Sequence, residues 1–415
     1  MVEQVRGRPV LRGERPVNRH DGRTGVRVSA QGRRRRLFLL GIDVDSTGGS
    51  QRVLHTLAQG FAERGHTVEL IGIRPSPRPH AYIADPAYRR TTLYRAAAPP
   101  SWRADSLAER LSPARLWSAR AERRERQRAR ELLARRFADT PEDGRGYVIA
   151  GSPWAAVWLE SVARPAHVRA IGQYHESFHQ ARTSVNLELI LRHYPALEKS
   201  LFLSEPDAAE FRRRRLPNAG VMPNPLPFAP LTPAPLDGRR VGAVGRLEPV
   251  KRLDRLLDAF ATASTEHPGW ELHFFGDGPQ EPELRARAAR LGIDGRVRFR
   301  GTVRDMAAAY RELSLVALTS EREGRPMALA EASAAGVPCV SFDLSGGVRE
   351  LVVHGRTGTL VPHGDTAAFA AALGELMGDG PARERYGRAA REHVAPLALP
   401  AVLDRWEALF EEIDR

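Results

Sequence analysis

The sequence predicts an α/β protein built from two doubly wound parallel-sheet domains, and three observations carry that expectation. Short apolar runs of strand length alternate with stretches of helical period along most of the chain, the pattern of parallel sheets wrapped by helices. That alternation is broken once, by Pro217, Pro223, Pro225, Pro227, Pro230, Pro233 and Pro235, a density no helix or central strand tolerates. Glycine-bearing loops follow several of the strands on both sides of the break.

At 415 residues the chain exceeds one ordinary domain and fits two. Its boundaries are expected as a disordered basic tail over 1–36, a first domain over 37–216, a Pro-rich linker over 217–238, a second domain over 239–390 and a closing helix over 391–415 that packs back on the first domain. The single cysteine, Cys339, lies in the apolar run Val337–Val340, so a disulfide framework is excluded, strand packing is its expected role, and a reducing cytoplasmic compartment is implied. The first apolar run, Leu37 to Ile42, is too short for a membrane span and lacks a cleavage site, so neither a signal peptide nor a transmembrane helix is expected. A formal net charge of +13 suits a polyanionic partner, although the basic residues are almost all arginine. Lys199 and Lys251 are the only lysines, which singles out Lys251 in its loop.

The first domain opens with strand Leu37 to Ile42, a loop carrying Gly48 and Gly49, a helix over Val53 to Arg64 and a strand over Thr67 to Ile73. The paired glycines let backbone approach a ligand closely. Asp43 and Asp45 form an Asp-x-Asp, but no third ligand accompanies them and no metal site is expected. Residues 75–100 read as loop. A long helical region over 106–137 carries many arginines, with Leu107, Leu111, Leu116 and Trp117 for an apolar side; it is either a solvated helix with Glu/Arg pairs or a surface for anionic lipid or a polyanionic acceptor. A helix over Trp154 to Ala163 separates strands Tyr147 to Ala150 and Val168 to Gly172. His175 directly follows the latter, which aims it at the crevice. Strand Leu201 to Ser204 and helix Asp207 to Arg215 complete the domain.

Beyond the linker, strands are expected at Arg240–Val244, Trp270–Phe275, Val297–Phe299, Leu313–Leu318 and Pro338–Phe342. Helices are expected at Lys251–Thr262, Pro282–Leu291, Val303–Tyr310, Met327–Ala335 and Val348–Val353, followed by three more at Thr366–Met377, Pro381–His393 and Leu399–Ile413. Ser320 to Glu331 joins a buried strand to a helix, the place where an α/β sheet binds ligands, because helix N-termini present free N–H groups and a positive dipole end. Glu323 falls in that loop and Glu331 one turn into the helix. Arg246 and Lys251, in the loop after the domain's first strand, offer a bidentate fork and a point charge suited to a diphosphate. Gly276-Asp277-Gly278-Pro279 and Gly346-Gly347 form further loops of this kind.

Gly245-Arg246-Leu247 with Lys251, Gly276-Asp277-Gly278-Pro279, Glu323-Gly324 with Pro326-Met327 and Glu331, and Gly347 with Glu350 resemble family 4 of the retaining glycosyltransferases, of the GT-B fold with two Rossmann-like domains facing across a cleft. The likeness is strong over 240–365 and moderate over 37–73 and 168–225, where Gly48-Gly49, His175 and Pro223-Asn224-Pro225 match. It implies that Arg246 and Lys251 bind a donor diphosphate, that Glu331 binds the ribose, and that Glu323 contacts the transferred sugar. It also implies donor contacts from Gly48, Gly49, Gly276, Gly278 and the main chain of Arg325, Met327 and Ala328, with His175 near sugar and acceptor. Where many members carry a second glycine, this chain has Arg325-Pro326, and Pro326 has no N–H to offer, although proline at a first helical position is otherwise favourable.

The resemblance therefore implies a metal-independent retaining hexosyltransferase without cofactor, using a nucleotide-sugar donor, UDP-linked rather than GDP-linked on family frequency. The acceptor is a hydroxyl of a glycan, glycolipid or teichoic-acid-like polymer, placing the enzyme in cell-envelope glycan biosynthesis, in the cytoplasm and at most peripheral at an anionic membrane. Paired carboxylates alone would suggest glycoside hydrolysis, but Arg and Lys at neighbouring strand ends imply a phosphate leaving group. A sugar-nucleotide hydrolase or epimerase on the same scaffold is the rival enzyme. Nucleic-acid binding is not expected, since no zinc-finger, RNP-like or basic-zipper pattern accompanies the charge.

Overall fold

A computed structural model describes residues 34–95, 113–142, 144–228 and 232–415. Residues 34–415 form one compact unit with two parallel sheets. The first sheet comprises β1 (Arg36–Gly41), β2 (Thr67–Gly72), β3 (Arg89–Thr92), β4 (Gly146–Ala150), β5 (Val168–Gln173), β6 (Lys199–Phe202) and β7 (Ala219–Val221), in the order β3-β2-β1-β4-β5-β6-β7. The second comprises β8 (Arg240–Val244), β9 (Glu271–Phe275), β10 (Val297–Phe299), β11 (Leu315–Leu318), β12 (Cys339–Phe342) and β13 (Gly358–Val361), in the order β10-β9-β8-β11-β12-β13. All the pairings are parallel.

The strands are apolar on both faces because helices cover both. In β1, Phe38 and Leu40 join one cluster while Leu37 and Leu39 join another. In β11, Leu315 and Ala317 face one cluster, Val316 and Leu318 the other. Helix starts follow their caps: Ser152, Ser177, Ser204 and Ser345 each accept a hydrogen bond from a first-turn N–H, and Asp305, Asp365 and Asp379 do the same.

Strand order reverses direction between β1 and β4 and between β8 and β11, and such switch points open the crevice in which α/β sheets bind ligands. The loop holding Gly48 and Gly49 follows β1 and leads into α1 (Gly49–Glu63). Those holding Arg246 and Lys251, and Glu323, follow β8 and β11.

Several expected boundaries shift. The basic tail stops short of residue 36, because Arg36 opens β1, and Arg35 is buried beside Asp414 with its guanidinium over the Phe410 ring. The remainder of the expected tail, 1–33, lies outside the described residues, as does the 96–112 part of the Arg-rich segment with Leu107 and Leu111, and the side chains of Leu116 and Trp117. The helix there, α2 (Pro113–Ala138), pairs several of its arginines with Glu122, Glu125 and Glu131 on its own surface and with Glu69 of β2. The linker begins later than Pro217, because Ala219–Val221 completes the first sheet as a three-residue edge strand, where flanking prolines cost no ladder hydrogen bond. β3, β13 and the short helices α4 (Phe178–Arg182) and α5 (Asn186–His193), which follow α3 (Pro153–Glu160), are additions to the elements the sequence predicts.

The last helix, Leu399–Asp414, crosses back to the first domain. Val402, Leu403, Trp406 and Phe410 are buried against Leu57, Phe61 and Tyr147, and the Asp414 carboxylate accepts hydrogen bonds from Arg145 and Tyr147. Trp406 is fully buried, so Trp406→Ala should cost about 3–5 kcal/mol of stability. Urea unfolding followed by far-UV circular dichroism reads this directly, and a loss under about 1 kcal/mol would mean the helix contributes little to the fold.

Candidate functional site

Two loops meet at the switch point of the second sheet. A 3-10 turn over Pro249–Lys251 ends at Arg252, whose left-handed backbone (φ 47°) precedes helix α7 (Leu253–Ala263), after α6 (Glu205–Arg213) in chain order. Lys251 therefore sits two residues before the helix rather than at its first turn. The loop after β11 is tied to this turn: Glu321 N–H donates to the Val250 carbonyl at 2.7 Å, and the Thr319 hydroxyl to the carbonyls of Lys251 and Arg252 at 3.2 and 3.0 Å. The result is an ion pair, Lys251 Nζ to Glu323 Oε1 at 2.6 Å, with the Ser320 hydroxyl donating to the same oxygen at 2.7 Å. Both side chains are largely screened from solvent. Arg246 stands apart, exposed and paired with Glu248 at 2.7 Å.

Gly276 and Gly278 hold the first loop in place from below. Gly276 has φ 132°, and a Cβ there would press into the Gly245 carbonyl; a Cβ on Gly278 would press into the Leu247 backbone. Their neighbours are thus the backbone that carries Arg246.

After α8 (Glu281–Arg290) and α9 (Met306–Arg311), helix α10 spans Met327–Ala334. Pro326 is its N-cap, in extended conformation (φ −67°, ψ 119°), and the helix opens at Met327 as expected. The missing N–H therefore lies outside the first turn, where Met327 and Ala328 keep theirs, without partners inside the helix. The Arg325 side chain turns away to the other domain: Nη1 donates to the Leu203 carbonyl at 2.9 Å and lies 3.4 Å from Glu350 Oε2.

That contact belongs to a seam between the domains. A Cβ on Gly324 would lie 2.9 Å from Glu176 Cα and 3.0 Å from Ser177 N, so backbone rests on backbone there. Gly346, opening α11 (Gly346–Leu351), similarly abuts Pro206, and Glu350 accepts from the Glu205 N–H at 2.9 Å.

From the first domain, Gly48 and Gly49 face the seam's cleft. The Gly48 N–H donates to the Tyr82 hydroxyl at 2.6 Å, and that hydroxyl lies 2.9 Å from the Ser46 carbonyl. A Cβ on Gly49 would meet nothing within 4 Å, leaving open space above the helix start. Burial raises the Tyr82 hydroxyl's pKa, opposed by its hydrogen bond with the Gly48 backbone and by the charges of Arg52 and Arg246. Asp43 and Asp45 are taken up locally, by Gln51 and by the Ser76 N–H, and no group of three or more His, Cys, Asp and Glu gathers among the described residues.

His175 is partly buried and hydrogen-bonded through Nδ1 to Asn224 Oδ1 at 3.1 Å, which leaves Nε2 buried without a partner among the described residues. Glu331 is 1% exposed. Its Oε1 is held by Arg52 Nη1, one turn into α1, at 3.1 Å across the cleft, while Oε2 has no partner among the described residues. Burial pushes the Glu331 carboxyl up, and Arg52 opposes the shift. The structure thus brings Lys251 to Glu323 and Glu331 to the first domain. Arg52, Tyr82 and the Asn224 contact are site features that sequence reasoning misses; Arg52, three residues past Gly49, is the one a helical projection could have found.

Burial also lowers the His175 imidazole to about 4, against the hydrogen bond it donates to Asn224, which raises it. The unfolded chain, with its imidazole near the ordinary 6.5, takes up a proton that the folded site refuses. Stability from this group is complete above pH 6.5 and is lost as pH falls toward 4. Thermal unfolding between pH 7 and 5 should therefore show a shallower decline in His175→Gln than in the wild type, with His55, His66 and His273, also lowered by burial, carrying the remainder. Equal slopes would mean that His175 is protonated as readily in the fold as outside it.

Comparison with known proteins identifies the scaffold. The model of the glycosyl transferases group 1 family matches residues 232–393. An exopolysaccharide phosphotransferase of Streptomyces coelicolor is 35% identical over 253 residues, 60% of this chain, and the chain spans only 27% of that relative. An uncharacterized glycosyltransferase of Haemophilus influenzae is 25% identical over 377 residues, covering 89% of this chain and 98% of its own length. Among solved structures, a variant of Staphylococcus aureus TarM in complex with fondaparinux, α-GlcNAc-glycerol and UDP superposes with a TM-score of 0.73 at 13% identity, over 91% of this chain and 99% of that one. With two parallel α/β sheets facing across a cleft and this superposition, the chain has the GT-B fold, and its residues 232–393 match the model of the glycosyl transferases group 1 family.

Proposed function

We propose that the protein is a retaining, metal-independent hexosyltransferase that moves a hexose from a nucleotide-diphosphate sugar, UDP-linked by preference, to a hydroxyl of a glycan, glycolipid or teichoic-acid-like polymer. The observation that carries this reading is the Lys251–Glu323 pair at 2.6 Å, at the switch point of the second sheet, joining the loop before α7 to the loop before α10. A phosphate leaving group needs cations and free N–H groups where its charge develops, and preorganised contacts of that kind usually contribute most to the rate of such a reaction. Arg246 and Lys251, with the N–H groups of Met327 and Ala328, serve the diphosphate. The Glu331 carboxylate serves the ribose hydroxyls, and Gly48 and Gly49 line the opposite wall. Gly276 and Gly278 act by positioning the Arg246 loop.

Glu323, bonded to Lys251, faces the transferred sugar and stabilises positive charge at its anomeric carbon. His175 enters as a neutral imidazole, and its Nε2 lone pair suits a sugar or acceptor hydroxyl. The acceptor hydroxyl attacks from the face the diphosphate leaves, so configuration is retained. This assigns the protein to cell-envelope glycan assembly at the cytoplasmic side, with peripheral contact to an anionic surface. No helix among the described residues is long and apolar enough to cross a membrane.

The S. coelicolor relative's name describes a phosphotransferase, but the match covers about a quarter of that protein, and its named activity does not come across with the match.

Thermal-shift screening of UDP-, GDP- and ADP-sugars identifies the donor, and transfer to glycan or glycolipid acceptors is then followed with and without EDTA. Lys251→Ala and Glu323→Ala should each lower kcat/KM by about a hundredfold or more, and Arg246→Ala should weaken nucleoside-diphosphate binding. Wild-type transfer in all three variants, or no protection by any nucleotide, would overturn the reading. Sugar release without acceptor would instead indicate a hydrolase.

A further inference from the structure

We propose that Arg52 is a donor-sensing residue: it holds Glu331 until a nucleoside diphosphate arrives, yields that carboxylate to the incoming ribose, and then serves the diphosphate itself. The inference rests on the nucleotide-sugar reading above.

A carboxylate that is 1% exposed and bonded to nothing on Oε2 among the described residues needs a cation or strong donors. Arg52 supplies one bond, from the other domain, at 3.1 Å. Tyr310, fully buried beside Glu331, keeps its proton, since burial and that carboxylate hold its hydroxyl well above the ordinary range. A ribose diol reaching Glu331 brings two O–H donors, which compete with the guanidinium for the carboxylate.

Arg52 is well placed for a second partner. Its own N–H bonds the Gly48 carbonyl at 3.1 Å, so the side chain rises from the first turn of α1, beside the open space over Gly49. Arg52 and Arg246 both act electrostatically on the Tyr82 hydroxyl that anchors Gly48. Arg52 and the glycine loop therefore share the first-domain side of the cleft, and Arg52 bridges it to Glu331. At 36% exposed, Arg52 is the partner with room to move, and Glu331 is the fixed one. A diphosphate arriving with the ribose offers the released guanidinium a bidentate anion.

The exchange predicts a split between ligands that share a ribose and differ in phosphate. A nucleoside must break the Arg52–Glu331 bond with nothing in return for the guanidinium, whereas a nucleoside diphosphate gives it a new anion. The test measures binding of uridine, UDP, guanosine and GDP to the full chain by isothermal titration, in wild type, Arg52→Ala, Arg52→Lys and Glu331→Gln. Arg52→Ala should bind the nucleoside more tightly and the diphosphate more weakly, each by about tenfold, and Arg52→Lys should fall between, keeping charge without the fork.

A parallel loss of both ligands in Arg52→Ala would make Arg52 an ordinary contact or a structural one, and unchanged binding of both would make the ion pair incidental; either overturns the inference. Arg52→Lys decides the matter should Arg52→Ala fail to fold, because equal nucleoside and diphosphate shifts in it have the same meaning. Glu331→Gln separates the two levels: if it leaves all four ligands unaffected, the ribose assignment of Glu331 fails, and with it the reading beneath.

Discussion

The cleft depends on one close approach of main chain to main chain. Gly324 lies against Glu176 and Ser177 of the opposite domain at a distance no side chain could share, and the loop bearing Glu323 is seated by that contact. Around it the seam is polar and specific: Arg325 reaches the Leu203 carbonyl, Glu350 caps the helix start at Glu205, and Gly346 abuts Pro206. Hydrophobic burial holds each domain together, and the last helix adds Trp406 and Phe410 to the core of the first. The angle between the two sheets, and so the width of the cleft, is set by these few directional contacts.

Inside the cleft, charge is arranged in pairs that are each incomplete. Glu323 has Lys251 and Ser320; Glu331 has Arg52 on one oxygen only, among the described residues. Desolvation makes an unpaired carboxylate costly here, so the cations of the cleft engage its own acids. A ligand carrying both hydroxyls and phosphates can exchange with both pairs at once. Glycines divide into two kinds in this frame. Gly276, Gly278 and Gly324 are small because another backbone lies where a Cβ would go. Gly49 has open space above it, where the proposed ligand would lie. In the sequence the two kinds look alike, each a glycine after an apolar run.

What can be read from residues alone is local. Apolar runs and Ser or Asp caps mark most strands and helix starts because these depend on neighbours within a turn or two. The placement of Arg246, Lys251, Glu323 and Glu331 at strand ends and a helix start follows from the same patterns. β3, with its Arg89-Arg90-Thr91-Thr92, and β7, between prolines, escape because edge strands are held by pairing to one neighbour rather than by burial on both faces.

Tertiary structure alone decided that Arg325 serves the domain seam and that Arg52 meets Glu331 from 279 residues away. Sequence determines which side chains stand at which strand ends, since that is a matter of period and chain direction. Which of them face one another across a cleft is a matter of how two separate sheets dock, and no local pattern encodes that.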